Sequence, residues 1–552
     1  MMQTGTDQQP VMDSRQSLIE LAWRMEEKGL LLDQPTRKSL IESQDDIVGG
    51  YLSEVMTSIS PFWEVRHNNC ITLLDEANAA YRDQRRAYVN HCKKHPAYYP
   101  GRKPPRGCEI CLALHTSKEG DQWRAKYAKL RKDRDKLKAE MRKLDKGFNF
   151  KSGADLAWLL YSAEALNMPI RRNKSNNPST NADAIERMSK SPAARRKEGF
   201  HVVLKIKEMQ QATKAKSTFL DIPHDEADYV HPPYKVHGTR TGRIAGGQDL
   251  SGEKDKVSKK YAYNILNIPK PWRKIYVAPP GQCIVAADWK NQEGRLMALF
   301  SQDKAYKQAF REEDNGGFDV HSITASIIYG IDPGDSRKEK TKFNGSMHDM
   351  RHCAKVANHA VSYSPIPEKT LMYNFQMELK ESIRIVDALN AARPGIAAYK
   401  RKLIEDVLGR WEPFESRGNW YASCKQPGAL WDANPFGWLL YFYGGATVSK
   451  DARTGERIAL PDQAGEVCAM RQQSSGGEMW TRSGLDLFEY DIPMTGTYDS
   501  FYMLCADTDE ARQDTAGILT NVMTQPWPEL DGTSFPIDLE YGYNLKDLKE
   551  LK

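Results

Sequence analysis

Val285-Ala286-Ala287-Asp288-Trp289-Lys290-Asn291-Gln292-Glu293-Gly294-Arg295 is the stretch on which the reading of this chain turns. Preceded by Ile284, it is a short apolar run that ends on one carboxylate and then opens a helix beginning near a second. Such a run, bounded by turn residues, predicts a buried strand. An acid at a strand end is ordinary by itself and most often serves a turn or a cap. Two features downstream give it weight. One is Arg351, Lys355, His359 and Tyr363, spaced four apart; the other is Tyr498-Asp499-Ser500-Phe501, a second strand-end aspartate. Two-metal phosphoryl transfer needs carboxylates that hold ions about 3.5–4 Å apart, together with cations for the polyphosphate. Asp288 and Asp499 are candidates for the first task, Arg351 and Lys355 for the second.

Steps of four residues rotate about 400° each, so the four side chains drift slowly around one helix face and span about 18 Å. That length suits a nucleoside triphosphate, with cations at the phosphates and an aromatic ring at sugar and base. An exposed amphipathic helix with scattered charges shows the same pattern. Asp288 and Asp499 lie far apart in the chain, so only a fold that joins two strands can pair them.

The 552 residues allow several packed units. With 79 basic and 73 acidic residues the net charge is +6, which permits a polyanionic partner without demanding one. The polar start, Met1 to Pro10, lacks the apolar core of a signal peptide. No apolar run approaches the roughly 20 residues that span a bilayer, so no membrane partner is expected. Nine cysteines without a regular framework fit a reducing, cytoplasmic setting rather than a disulfide scaffold.

A helix is expected from Gln16 to Gly29, with Leu18, Ala22 and Met25 on one face and Gly29 as C-cap. A Cys/His-rich insert is expected at about 66–118, and a long solvated basic helix from Gln122 to Lys146, with a seam of Tyr127, Leu130, Leu137, Met141 and Leu144. Polar loops are expected near Asn173–Asn177 and His237–Ser258. From Ile265 short apolar strands alternate with helices, predicting a mixed α/β body. Ile275–Ala278 and Ile284–Ala287 read as hairpin strands around Pro279-Pro280-Gly281, and Glu293–Phe300 as a helix. Another helix should start near Ser346-Met347-His348-Asp349 and stop by Pro365, while Pro493–Leu504 and Ile537–Tyr543 have strand character.

In the insert, Cys108-Glu109-Ile110-Cys111 is a CxxC. Cys92 with His91, His95 or His115 could complete a tetrahedral zinc site; Cys92, Cys108, Cys111 and His115 are the chosen set. A strong zinc signal has two such pairs, and a plain surface insert with free thiols is the other reading.

The ordered string of motifs resembles family A DNA polymerases. Thr241-Gly242-Arg243-Ile244, Asn264-Ile265-Leu266-Asn267-Ile268-Pro269 and Asp288–Arg295 look like the palm elements of that family, in its order and spacing. Asp319-Val320-His321, the Arg351/Lys355/Tyr363 helix, Arg393-Pro394-Gly395 with Tyr399, Gln473-Ser474-Ser475 and Tyr498-Asp499-Ser500 resemble later elements. Met25–Gly29, Phe148-Asn149 and Ser179-Thr180-Asn181 resemble parts of the thumb. The resemblance implies an α+β right-hand fold: an antiparallel palm sheet, helical fingers and a helical thumb. Its boundaries here would be a polar tail at 1–16, thumb at 17–225, palm at 226–300 and 438–552, and fingers at 301–437.

It also implies roles. Asp288, Asp499 and the Trp289 carbonyl would hold two magnesium ions. Arg351 and Lys355 would grip the triphosphate, with Lys355 as proton donor to pyrophosphate, and His321 would touch the phosphates. His359 and Tyr363 would line the nucleotide site, Tyr363 near the templating position. Glu293 would sit beneath the sugar and exclude a 2′-hydroxyl, and Arg243 and Gln473 would contact the duplex. The expected partners are primer-template DNA, dNTPs, a separate 3′–5′ exonuclease and other replisome proteins. Only about 16 residues precede the thumb-like start, so no exonuclease domain is expected, in the manner of a phage replicase. Set in the thumb, the insert and basic helix would grip duplex backbone without sequence preference.

The chain departs from the family pattern at His359 (usually Phe or Tyr), Gly294 (usually apolar), Ser364 (usually Gly), and at Tyr498 and Ser500, where His and Glu are usual. The Asp-Ser pair also occurs in single-subunit phage RNA polymerases, which leaves that activity as an alternative, beside a catalytically silent DNA-binding accessory.

Overall fold

The computed structural model describes residues 9–86, 94–95, 103–173, 176–189, 191–236, 238–246, 264–343, 346–375, 377–408, 411–416, 419–424, 430–442, 446–451, 453–461 and 463–551. Cys92, and most of the loop expected at 237–258, lie outside these. The chain divides into two compact units, residues 1–42 with 216–552, and residues 43–215.

The larger unit is organised by a five-stranded sheet in the order Thr495–Thr497, Ser500–Ala506, Gln282–Trp289, Ile537–Gly542, Lys549–Glu550, with every pair antiparallel. Gln282–Trp289 is central because it is apolar on both faces: Cys283 to Ala287 are all buried. On one face Trp289 and Phe501 meet edge to face at 6.4 Å, and Trp480 stacks on Phe501 at 4.9 Å. Trp480 comes from the helix Ala464–Phe488, and its indole donates to the Ser500 carbonyl at 3.2 Å. The Trp289 indole donates to the Met523 carbonyl, at the end of the helix Asp509–Met523, at 2.8 Å. Burial of each such ring is worth about 1.5–3 kcal/mol, and the two indole bonds let tryptophan be buried without an orphaned N–H.

The expected hairpin of Ile275–Ala278 with Ile284–Ala287 does not form. Tyr276–Val277 pairs instead with Leu30–Leu32 in a separate three-stranded sheet, through Leu31↔Val277 and Leu32↔Tyr276. Leu30-Leu31-Leu32 offers an apolar partner from the other end of the sequence, which hairpin reasoning from local spacing cannot see. The first helix runs Gln9–Lys28, so part of the expected polar tail is helical, and Gly29 ends it at φ +65°, its N–H donating to the Met25 carbonyl at 3.2 Å. The helix expected to open near Ser346 opens at Met350; Ser346–Asp349 is a strand paired with Lys340–Phe343. Asp349 is the N-cap, accepting from the His352 N–H at 2.8 Å. Residues 411–461, at the junction of the expected helical fingers and second palm segment, carry antiparallel strand pairs as well.

In the smaller unit, the helix Gln34–Arg86 runs through positions 66–86, so the start of the expected insert is regular helix. Lys118–Leu144 packs back along it. Trp123, Tyr127, Leu130, Arg134, Leu137, Met141 and Leu144 are among its buried or half-buried positions, and their 4-3-4-3 spacing makes the expected seam a coiled-coil stripe. Arg66 pairs with Glu140 at 2.6 Å, the Trp123 indole donates to the Gln84 carbonyl at 2.9 Å, and the Arg134 guanidinium lies 4.1 Å from the Tyr81 ring centre. A separate core of Val55, Ile59, Leu159, Leu160, Val203 and Ile206 holds the rest of the unit.

Candidate active site

A cleft of about 520 Å³ opens at the C-terminal end of the central strand. Asp288 stands on that strand, with Ser500 and Asp538 as its register partners on either side. Thr497 pairs with Ser500, so Tyr498 and Asp499 form the two-residue turn of the neighbouring hairpin. The Trp289 N–H donates to the Asp499 carbonyl at 3.0 Å, which fixes the two aspartates on adjacent backbones. Both line the cleft, with Trp289, Glu293, His321, Arg351, Lys355 and His359 among its other walls.

Electrostatics mark this as a site that wants positive charge. Burial, then the carboxylates of Asp499, Asp538 and Glu540, push the Asp288 carboxyl up to about 8 against the pull of Lys355. The Asp499 carboxyl is also raised, by burial first and with Glu293 adding, while Arg243 opposes. Two neighbouring carboxylates that resist ionising together are what a divalent cation relieves, and oxygen-only donors suit a hard ion such as magnesium. Asp538 was not recognised in the sequence. Its signal is there: Ile537-Asp538-Leu539-Glu540 alternates apolar and acidic, which puts both acids on one face of a strand. Asp538 is partly spoken for, since Lys290 pairs with it at 2.9 Å.

Facing the carboxylates is the helix Met350–Tyr363. Lys355 is exposed and makes no ion pair among the described residues. Arg351 is oriented from behind: its Nε donates to both oxygens of Asp319, at 2.9 and 3.0 Å. Asp319 also caps the helix Val320–Tyr329, accepting from the His321 and Ser322 N–H groups at 3.1 Å each. Burial would raise the Asp319 carboxyl, but the Arg351 and Ser322 hydrogen bonds outweigh it and hold it at about 2. His321 is 6 % exposed, and its Nδ1 has no hydrogen-bond partner. Burial, then Lys355 and Arg351, push its imidazole down to about 3, so it is neutral. Burial lowers His359 as well; its ring lies 6.0 Å from Tyr363 and 6.3 Å from His321.

At the floor, Glu293 pairs with Arg243 at 2.6 Å. Burial is the main cause that raises the Tyr363 phenol. The Arg243 Nε donates to the Gln473 carbonyl at 3.0 Å, and its guanidinium lies 5.3 Å from the Tyr498 ring centre. Asp288, Asp499, Glu293, Arg243, His321, Arg351, Lys355 and His359 therefore share one cleft; a hydrogen bond joins Gln473 to its floor, and the Tyr363 ring lies beside His359.

The departures have local reasons. Asn291 sits at φ 49°, a left-handed conformation that asparagine tolerates, and caps the helix Gln292–Ser301. A Cβ at Gly294 would come within 2.6 Å of the Asn291 side-chain oxygen, so the glycine makes room for that amide. Ser364 has φ −92° and needs no glycine. The Ser500 hydroxyl is buried and bonded to Thr497 at 2.5 Å.

Residues 121–410 match the family model of DNA polymerase family A, and the chain belongs to that family. The match stops short of the hairpin bearing Asp499, whose place beside Asp288 rests on the sheet register. The chain is 26 % identical over 289 residues to the thermostable DNA polymerase I of Thermus filiformis, covering 50 % of this chain and 30 % of that protein. It is 27 % identical over 271 residues to DNA polymerase I of Chloroflexus aurantiacus, covering 47 % and 25 %. The chain thus spans less than a third of the length of these relatives. Among solved structures it resembles the POL domain of Pol1 from M. smegmatis in complex with DNA primer-template and dNTP, with a TM-score of 0.58 at 13 % identity, covering 96 % of this chain and 69 % of that one. That likeness bears out the right-hand fold with its antiparallel sheet.

Proposed function

We propose that this chain extends the 3′ end of a primer on a DNA template with deoxynucleoside triphosphates. The observation that carries the reading is the meeting of Asp288 and Asp499 at the C-terminal end of the central strand, opposite Lys355 and Arg351. The family's named relatives and the primer-template and dNTP bound in the structural neighbour support the same substrates.

Asp288 and Asp499, with the Trp289 carbonyl, would hold two magnesium ions; when bound, these supply Lewis-acid activation of the primer hydroxyl and charge stabilisation at the triphosphate. The protein's own part is positioning. Lys355 presents an ammonium to the phosphates and a proton for the departing pyrophosphate. Arg351, locked by Asp319, offers its outer nitrogens in a fixed orientation. Neutral His321 lines the phosphate side of the cleft without adding charge. Glu293, held by Arg243, forms a wall against a 2′-hydroxyl by steric exclusion. Arg243 and Gln473 then contact the primer-template duplex near the terminus.

Extension of a primed DNA template by the purified chain, with dNTPs and with rNTPs in parallel, tests this. Extension with dNTPs and magnesium is expected. Preferential use of rNTPs would instead establish an RNA polymerase-like enzyme, and template binding without any extension would establish a silent accessory.

A further inference from the structure

One cluster plays no part in that cleft. His95, Cys108 and Cys111 each present a ligand atom, and all these atoms lie within 4.8 Å of one another. We propose that these three side chains supply three of the four tetrahedral positions around a structural zinc ion in the connection between Arg86 and Lys118.

The geometry suits that ion. Zinc bonds of about 2.3 Å to sulfur and about 2.0–2.1 Å to nitrogen, at tetrahedral angles, give a sulfur–nitrogen edge of roughly 3.6 Å. Cys111 Sγ lies 3.7 Å from His95 Nδ1. The CxxC is placed by local structure: Cys108 is the N-cap of the helix Glu109–Thr116 and makes no side-chain capping bond, and Cys111 lies in its first turn. A helix start turns both sulfurs toward one point and favours the negative charge that zinc thiolates carry. Cys111 is fully buried, which limits the ion's contact with solvent. Two thiolates and an imidazole prefer zinc to magnesium, because soft donors do not suit hard cations.

The histidine differs from the one expected. His115 lies one turn beyond Cys111 but is not in the cluster; its backbone carbonyl accepts from Arg124, on the helix Lys118–Leu144. His95 takes the ligand position from the other side. That arrangement has a purpose a local pair would lack. It ties residue 95 to the short helix Glu109–Thr116.

The test uses the full-length chain purified from zinc-supplemented medium. Elemental analysis should find about one zinc per chain in the parent and in His115→Ala, falling at least about tenfold in the Cys108→Ser/Cys111→Ser double variant and clearly in His95→Ala. Because a variant could fail to fold, the parent is also stripped with chelator and titrated with Co²⁺. A thiolate-to-cobalt charge-transfer band and tetrahedral d–d bands are expected, with a rise in Tm on metal addition. A metal-free parent whose Tm zinc does not move, or a cobalt spectrum without thiolate bands, overturns the proposal. Loss of zinc in His115→Ala with retention in His95→Ala overturns the ligand assignment. None of these results bears on the polymerase reading.

Discussion

Asp288 and Asp499 reach each other from strands far apart in the chain, whereas His95, Cys108 and Cys111 meet within a single connection. The first pair is made of oxygen donors that repel one another until a cation arrives, and a five-stranded sheet holds them in place. The second cluster uses soft donors, with a short helix to set two of them. In one region the fold brings the donor groups together; in the other a bound metal is expected to help make the fold.

The sharpest way to break this contrast is at the end of the central strand. Asp288→Asn or Asp499→Asn should lower primer extension by at least about 10³-fold while leaving primer-template affinity within a few fold, because the lost step is chemistry on a bound substrate. Extension rates near the parent's for either variant would remove the catalytic reading of the pair. Lys355→Ala should come next, with kcat/KM for dNTP down about 10²-fold, as expected for a lone cation facing phosphates. Measured single-turnover rates distinguish this from a simple folding defect.

Glu293→Ala is expected to relax dNTP-over-rNTP selectivity by about tenfold or more, since a steric exclusion is lost. Selectivity that stays put would show that another side chain excludes the 2′-hydroxyl. Metal exchange sharpens the contrast from the other direction. After exhaustive dialysis against EDTA, magnesium alone should restore extension but no thiolate-bound metal, and only zinc or cobalt should restore the latter.

The smallest effect concerns the support of Arg351. Asp319 has an ordinary value near 3.8 and is held at about 2 in the fold, so its ionised form is the one the folded state prefers. Its stabilisation is therefore complete above about pH 4 and lost as pH falls toward 2. Asp319→Asn should flatten the dependence of urea-unfolding stability on pH across that window. Parallel curves for parent and variant would deny Asp319 that role.

Much of the cleft was legible in the chain because strand ends, helix spacing and ordered motifs are local signals. Asp288, Glu293, the Arg351–Tyr363 helix and Asp499 all announce themselves this way. Asp538 did not, because a lone exposed acid on a strand gains meaning only from the strand beside it. The misread hairpin at 275–287 failed for the same reason: Tyr276–Val277 found a better partner in Leu30–Leu32. At the Cys/His cluster, sequence spacing offered three histidines, and His115 lies closer in the chain to the CxxC than His95 does. Helix direction separated them, since His115 follows Cys111 along the same helix while His95 approaches from outside it.

By itself, then, the amino-acid order determined which groups this protein has available: two metal-type aspartates, a cationic helix, a glutamate at a helix start and a CxxC. It determined these because residue chemistry and short-range periodicity are properties of the unfolded string. The tertiary structure alone decided which groups face one another, how far solvent is excluded from them, and so what charge each carries. Those depend on long-range strand register and burial, where a pairing between distant residues costs chain entropy that only the whole packed core can offset.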